Sequence, residues 1–191
     1  KVQKFNKIND SVNAGIVIIH QELALFPDLT IYENIFAGNE IKQGGLINWN
    51  KTVVEANKVL EKVNLKVNPE TLVKELGVGK RQLIEIAKAL SKDVKLLILD
   101  EPTAALNEDD SENLLKLIDG LRNQGISCIM ISHKLKEVIS IADSVTVIRD
   151  GQTIVTLSAS KNEITEDVII RNMVGRQIQD IYPKRNRNIS D

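Results

Sequence analysis

Two adjacent carboxylates follow a short apolar run, and they are the residues best placed to do chemistry. The segment LLILDEPTAALN, residues 96–107, puts Asp100 and Glu101 directly after four apolar residues. Such a run predicts a buried strand of a parallel sheet, whose last residues reach the carboxyl edge where ligands bind. There an Asp can hold Mg²⁺ through water, and a neighbouring Glu can take a proton from an attacking water. The pattern alone fits equally well a strand that ends in a solvated acidic turn.

Two further apolar strands are predicted to end in polar side chains. Gln21 follows the apolar residues 15–20, and His133 follows the apolar run that starts at Cys128. A lone His or Gln after a strand is more often structural than catalytic. The Ser-His ending of the strand that follows DEPT along the chain favours a functional role for His133, whereas Gln21 alone indicates little.

A glycine-rich turn opens a predicted helix in ELGVGKRQLIEIAKAL, residues 75–90. The first backbone N–H groups of a helix have no partner within it and carry partial positive charge, so they attract anions. The alternative is an ordinary glycine-rich helix start.

The order of these motifs resembles the nucleotide-binding domain of ABC ATPases over essentially the whole chain. The resemblance implies an α/β fold of the P-loop NTPase type, with a parallel sheet core, an inserted helical subdomain and a missing N-terminal part. Its motifs would be the Q-loop at Gln21, the signature at 76–80, Walker B at 96–101, the D-loop at 104–107 and the switch histidine at His133.

The resemblance also implies roles for these residues. Glu101 would be the catalytic base and His133 would contact the γ-phosphate of ATP, while Asp100 and Gln21 would hold Mg²⁺ through water. The signature would bind the ATP of an opposite protomer. The nucleotide-binding residues would be Gln21, Gly77, Val78, Gly79, Lys80 and Asn107.

The chain departs from the family pattern in its signature and at its start. Gly77 stands where the family has Ser, and Lys80 replaces the usual Gln. No Walker A loop, GxxxxGK[ST], precedes the Q-loop, so we expect a fragment of a longer polypeptide. Residues 45–52, GLINWNKT, match Walker A except for Asn50. We interpret them as a polar turn and N-cap before a helix at 53–63, since the preceding GNEIKQG predicts no strand.

Patterning divides the chain into four segments, and the resemblance implies what each of them would be. Residues 1–21 would be the remnant of a RecA-like core with the Q-loop, 22–90 a helical subdomain with the signature, 91–175 the returning core, and 176–191 a linker towards a second nucleotide-binding domain. With 25 basic and 26 acidic residues, the charge gives no case for nucleic acid binding.

Periodicity and capping residues predict the remaining elements. They are a strand at 15–20, short helix at 32–36, helices at 53–63 and 82–90, a helix at 108–124 capped by Asn107, a hairpin of 145–149 with 152–157, and a last helix capped by Thr165 and ending at Gly175.

Three stretches are similar to carbohydrate importers with two fused nucleotide-binding domains: 15–40, 85–108 and 128–154. This resemblance implies sugar import at the cytoplasmic face of the membrane, with ATP and Mg²⁺ as cofactors. The partners would be membrane permease subunits, a second nucleotide-binding domain and, indirectly, an extracytoplasmic sugar-binding protein. The alternative is a soluble ABC-type ATPase that takes no part in transport.

Overall fold

The computed structural model describes residues 3–174 of the chain. The chain divides into two compact units, Lys1–His133 and Lys134–Asp191, and each is considered by itself. The predicted linker 176–191, and Gly175 as the end of the last helix, lie outside the described residues.

The first unit alternates strands and helices around a small parallel sheet. Its elements are α1 (Ile8–Asn13), β1 (Ile16–Ile19), α2 (Ile31–Phe36), β2 (Lys42–Gln43), β3 (Leu46–Ile47), α3 (Trp49–Lys62), a 3₁₀ turn (Val73–Glu75), α4 (Val78–Leu90), β4 (Leu96–Asp100), α5 (Glu108–Asn123) and β5 (Ser127–Ile131).

The sheet has the order β1-β4-β5, and both pairings are parallel. Leu97 and Leu99 of β4 are fully buried, as expected for the central strand of a parallel sheet. On the opposite face, Ile18, Ile129 and Ile131 are about half exposed. The predicted strands at 15–20, 96–100 and from Cys128 are therefore confirmed, with boundaries shifted by one or two residues.

Helices α2, α3 and α4, which follow β1 and precede β4 in the sequence, pack against one another. Their core contains Ile31, Ile35, Leu60 and Ile84, each no more than 2% exposed. Thr30 begins α2 with a reciprocal cap, in which Glu33 Oε2 accepts from the Thr30 backbone N–H at 2.8 Å.

Two of these helices begin earlier than their apolar spacing predicts. Helix α3 begins at Trp49 because the Asn48 side chain caps it, with Oδ1 accepting from Lys51 N–H at 2.9 Å. Helix α4 begins at Val78, directly after Gly77. In both cases the first turn is largely exposed and carries too few apolar residues to show in the periodicity.

The expectation of no strand in GNEIKQG is wrong, because Lys42–Gln43 pairs with Leu46–Ile47 in a two-stranded hairpin. Gly44 and Gly45 form its turn with φ of 59° and 85°, the left-handed conformation that two-residue hairpin turns require. Both strands are exposed. They show no apolar alternation because they cover no core.

The second unit contains α6 (Leu135–Ile141), β6 (Ser144–Arg149), β7 (Gln152–Ser158), a 3₁₀ turn (Ala159–Lys161) and α7 (Glu166–Val174). The predicted hairpin is confirmed, with Asp150 and Gly151 at its turn at φ of 50° and 74°. Val147, Leu157 and Ile169 form its buried core. Thr165 Oγ1 accepts from Val168 N–H at 3.4 Å at the start of α7, which supports its predicted capping role.

Candidate functional site

The carboxyl ends of the three parallel strands meet at one edge of the sheet. Ile19 pairs with Leu99, and Asp100 pairs with Ile131. Asp100 is the last residue of β4 and Glu101 follows it, while Gln21 and His133 lie two residues beyond the ends of β1 and β5. All four residues therefore stand at or just after the carboxyl ends of the three strands, and a direct contact joins Glu101 to His133. Gln21 and His133 are exposed, whereas Asp100 and Glu101 are partly buried.

Glu101 and His133 contact each other directly, although they lie 32 residues apart. His133 Nδ1 is 2.9 Å from Glu101 Oε1 and 2.7 Å from Oε2. Because an ionised carboxylate only accepts, the contact favours a proton on Nδ1. Nε2, the other ring nitrogen, is then the atom left to bind a ligand.

The backbone of Glu101 has an unusual conformation. Its φ is 49°, in the left-handed region, where a residue other than glycine costs on the order of 1 kcal/mol or more. The Glu101 N–H donates to Ile131 O at 2.9 Å, which holds the turn against the neighbouring strand. The sharp turn directs the Glu101 side chain to His133 while leaving it 22% exposed. A carboxylate held in this way at a strand end can accept a proton from a water molecule.

The glycine-rich turn forms the N-terminus of α4, which is 13 residues long. Gly77 is its N-cap residue, with φ of −68° and ψ of 164°, and no side chain caps the helix. The first intrahelical bond of this turn runs from Arg81 N–H to Gly77 O at 3.1 Å. The N–H groups of Val78, Gly79 and Lys80 therefore precede the first intrahelical donor, as at an anion-binding helix end.

A Cβ added at Gly77 would meet no atom within 4 Å, and φ is not in the left-handed region. The glycine is therefore not required by the local structure. Val78 and Lys80 expose their side chains beside it.

Asn107 caps α5, as the sequence predicts. Its Oδ1 accepts from Asp110 N–H at 2.8 Å, and its Nδ2 donates to Asp110 Oδ2 at 3.1 Å. Both polar groups of the side chain are thus used within the cap. A nucleotide contact by Asn107 would replace one of these bonds or use the backbone.

Residues 45–52 do not form a phosphate loop. They comprise the hairpin turn, β3, the N-cap Asn48 and the first turn of α3, so Lys51 and Thr52 lie inside a helix that follows an exposed hairpin. Thr52 is buried and its hydroxyl donates to Asn48 O at 2.8 Å. The interpretation of these residues as a turn and a cap is confirmed, although the helix begins four residues earlier than predicted.

Three polar residues outside the predicted set fasten the segment after Gln21. Lys88 Nζ, on α4, donates to Ala24 O at 2.9 Å. Asn34, on α2, is fully buried, accepts from Phe26 N–H at 2.7 Å and donates to Phe26 O at 3.0 Å. Lys74 Nζ lies 2.9 Å from Asp28 Oδ1, and this ion pair raises the pKa of the lysine. Asn34 could have been found as a polar residue on the buried side of a predicted helix, whereas Lys74 and Lys88 look like ordinary surface lysines in the sequence.

The part of the chain that the structure describes contains no helix with the length and apolar character needed to span a membrane. Within the same residues, no three His, Cys, Asp or Glu side chains gather in a way that could hold a metal ion.

Residues 1–104 match the family model described as ABC transporter. The L-arabinose transport ATP-binding protein AraG of Geobacillus stearothermophilus is 61% identical over 191 residues, which is 100% of this chain and 37% of that protein. The xylose import ATP-binding protein XylG of Geobacillus kaustophilus is 51% identical over 99% of the chain and 37% of its own length. XylG of Escherichia coli K12 is 50% identical over 96% and 36%. The chain thus spans little more than a third of the relatives it matches.

Solved structures show the same fold. The ADP conformation of MJ1267, an ATP-binding cassette of an ABC transporter, superposes with a TM-score of 0.72 at 24% identity over 87% of this chain and 71% of that one. CbiO1 from Clostridium perfringens gives a TM-score of 0.70 at 24% identity over 85% and 64%. The predicted α/β fold of the P-loop NTPase type is confirmed, and the chain belongs to the ABC transporter family.

Proposed function

We propose that the chain forms part of an ATP-hydrolysing subunit that powers sugar import through an ABC transporter. The contact between Glu101 and His133 carries this proposal, because a carboxylate and an imidazole held together at the carboxyl edge of a parallel sheet can serve as a general base and a phosphate ligand. AraG and XylG, which carry transport and import ATP-binding names, support the sugar cargo. The whole subunit would lie at the cytoplasmic face of the membrane.

Glu101 would act as the general base on the water that attacks the γ-phosphate. Its carboxylate is partly buried and fixed by the turn, so it needs little reorganisation to accept the proton. His133 would present Nε2 to the γ-phosphate, since Nδ1 faces Glu101. Loss of the phosphate would release the imidazole and alter the position of the carboxylate that it contacts.

Asp100 and Gln21 would hold Mg²⁺ through water at the same edge. Mg²⁺ in phosphate-transferring sites retains several waters and binds one or two carboxylates together with substrate phosphates. Asp100 fits that mode, since it supplies one partly buried carboxylate at the end of β4. When bound, the ion would neutralise charge that develops on the phosphate oxygens.

The N-terminus of α4 would bind the γ-phosphate of ATP held by an opposite nucleotide-binding domain. The N–H groups of Val78, Gly79 and Lys80 supply the donors, and the Lys80 ammonium adds positive charge. Gly77 contributes no hydroxyl, so this signature has one hydrogen-bond donor fewer than the family pattern. Asn107 would approach the same interface from the D-loop.

A conservative substitution tests the base. Glu101→Gln in the full-length subunit keeps the side-chain shape but removes the proton acceptor, so hydrolysis at its site should fall by about 10²–10⁴-fold while ATP binding is retained. Glu108→Gln is the matched control, because Glu108 is exposed on the first turn of α5. Undiminished hydrolysis by Glu101→Gln, with the other site disabled, would remove Glu101 from this role.

We further propose that residues 26–48 contact the membrane permease. Most apolar residues of α2 belong to the core, as Ile31, Ile35 and Phe36 are at most 6% exposed. Phe26 and Leu46, by contrast, are 55% and 77% exposed. A cleft of about 210 Å³ is formed largely by the same segment together with the start of α3. Its lining residues are Leu29, Glu33, Phe36, Ala37, Gly38, Glu40, Ile47, Trp49 and Thr52.

The contacts around the Q-loop supply a path from the nucleotide to that surface. Lys88 ties Ala24 to α4, and Asn34 ties Phe26 to α2. A displacement of Gln21 would therefore be passed to a short segment that hydrogen bonds hold to α2 and α4.

Cysteine crosslinking from positions 26 and 46 to the permease tests the assignment, with position 148 of the exposed β6–β7 hairpin as the control. Efficient crosslinks from 148, with none from 26 or 46, would contradict it.

A further inference from the structure

A side chain at the second glycine of the signature turn would occupy the space that the Asp110 carboxylate now fills. A Cβ built on Gly79 would lie 2.5 Å from Asp110 Cγ and 2.9 Å from Oδ1, and it would also collide with Oδ2. Real Cβ atoms do not approach neighbours this closely. Gly79 lies inside α4 with φ outside the left-handed region, so its backbone conformation does not demand glycine. The obstacle is therefore Asp110.

The Asp110 side chain is held in place from its own side. Oδ2 accepts from Asn107 Nδ2 at 3.1 Å, while the Asp110 N–H donates to Asn107 Oδ1 at 2.8 Å. The residue is partly buried in the first turn of α5. Turning the carboxylate away from Gly79 would break its bond to the D-loop amide.

Gly77, two residues earlier in the same turn, provides the contrast. A Cβ there would meet nothing within 4 Å. A side chain would therefore collide with α5 at position 79 but not at position 77. The reason for glycine at position 79 does not apply to position 77.

We propose that Asp110 is a positioning residue for the signature turn, and that position 79 is glycine because the Asp110 carboxylate fills the space of its side chain. This inference rests on the proposed function, in which the α4 N-terminus binds phosphate. The contact sets the spacing between the N-termini of α4 and α5. It also places a single carboxylate between Asn107 of the D-loop and Gly79 of the signature.

Double substitution in the full-length subunit tests the cause. Gly79→Ala alone should lower ATP hydrolysis tenfold or more. Combining it with Asp110→Ala, which removes the obstructing atoms, should restore activity to within threefold of Asp110→Ala alone. Gly79→Ala with Asp110→Asn should stay as impaired as Gly79→Ala, because Asn has the size of Asp.

Kinetic constants separate positioning from simple support of the fold. Asp110→Ala should raise KM for ATP three- to tenfold, and Asp110→Asn should stay closer to the unsubstituted protein in both KM and kcat. A merely structural role would lower the melting temperature and the active fraction with KM unchanged, and that result would overturn the proposal.

Melting temperatures measured without ATP keep this test independent of the proposed function. Gly79→Ala should melt at least 3 °C lower than the unsubstituted protein, and Asp110→Ala should remove most of that difference. If the double variant Gly79→Ala with Asp110→Ala keeps the low activity and the low melting temperature of Gly79→Ala, the obstacle is not Asp110. If the unsubstituted subunit does not hydrolyse ATP, the proposed function fails, and the melting temperatures still decide whether Asp110 excludes a side chain at position 79.

Discussion

Gly77→Ser restores the hydroxyl that this signature lacks, and the structure predicts that the change is accepted. Position 77 is the N-cap of α4, with φ of −68° and ψ of 164°, a conformation that serine adopts readily at helix starts. An added Cβ meets nothing within 4 Å. No backbone strain or collision therefore offsets the new hydroxyl.

The effect on stability should be small. Serine and glycine differ by only a few tenths of a kcal/mol at an N-cap. For a protein of about this size, 1 kcal/mol shifts Tm by roughly 2–4 °C, so the expected increase is on the order of 1 °C. Gly77→Ala adds the same Cβ without the hydroxyl, and it should instead cost about 1 kcal/mol because alanine is a poor N-cap.

The effect on hydrolysis has a larger ceiling. A hydroxyl oxygen can accept from a helix N–H while its hydrogen points to a phosphate, so capping and ligand binding do not compete. One hydrogen bond to a charged group contributes about 1.5–3 kcal/mol, and 1.4 kcal/mol corresponds to tenfold. Ordering the side chain and displacing water consume part of that energy. We therefore expect the rate at the facing site to rise by up to about tenfold, or to stay unchanged.

The assay is ATP hydrolysis by the full transporter with the other site inactivated, comparing Gly77→Ser with Gly77→Ala. The serine variant should match or exceed the unsubstituted protein, and the alanine variant should not exceed it. A tenfold or greater drop in a well-folded Gly77→Ser protein would refute the reasoning. It would mean that this turn does not meet phosphate as the family's signature does.

Three further outcomes follow from described residues. Asn34→Ala should lower the free energy of unfolding by about 2–4 kcal/mol in a denaturation experiment, because it removes a fully buried amide that bonds the Phe26 backbone. The control Asn39→Ala, at an exposed position, should change it by less than about 0.5 kcal/mol. Burial raises the pKa of the Cys128 thiol, so its alkylation by iodoacetamide should be slower than that of free cysteine. The rate should continue to rise above the pH at which an ordinary thiol has ionised. Equal rates for Cys128 and free cysteine would show that the thiol is accessible and that its pKa is not raised. The 191-residue chain alone should bind Mg-ATP weakly and turn it over far below once per second, because its sequence holds no phosphate loop; low-micromolar affinity by calorimetry would instead return attention to residues 45–52.

The parts of the fold that sequence predicts are those with a long, regular apolar signal. The three parallel strands stand out because both faces of a central strand such as β4 are apolar, and α5 is delimited by Asn107 and Gly125 at its two ends. Helices α1 and α6 have only six and seven residues and bury none of them completely, so they are too short for periodicity to define them. The hairpin of β2 and β3 has two-residue strands that are exposed, so its glycine turn is the main sequence signal for it.

The candidate site divides in the same way. Strand ends can be placed by counting residues, so the meeting of Asp100, Glu101 and His133 at one edge is predictable. Contacts that depend on side-chain direction across helices are not, and the approach of Asp110 to Gly79 is one of these. The cap pattern Asn-x-x-Asp predicts that Asp110 bonds Asn107, yet gives no hint of the helix on its other side.

Because the backbone at Glu101 is left-handed, the residue type at this position should depend on whether the site is used. Glycine would relieve about 1 kcal/mol of conformational cost there, at the loss of the carboxylate. A lineage that no longer used the site would gain stability by that substitution and would be expected to drift towards it. This chain has glutamate at the strained position, where it contacts His133. Glycine at position 101 would thus mark domains whose site has lost hydrolysis, and glutamate would mark domains that hydrolyse ATP. A comparison of active and degenerate domains would check this expectation.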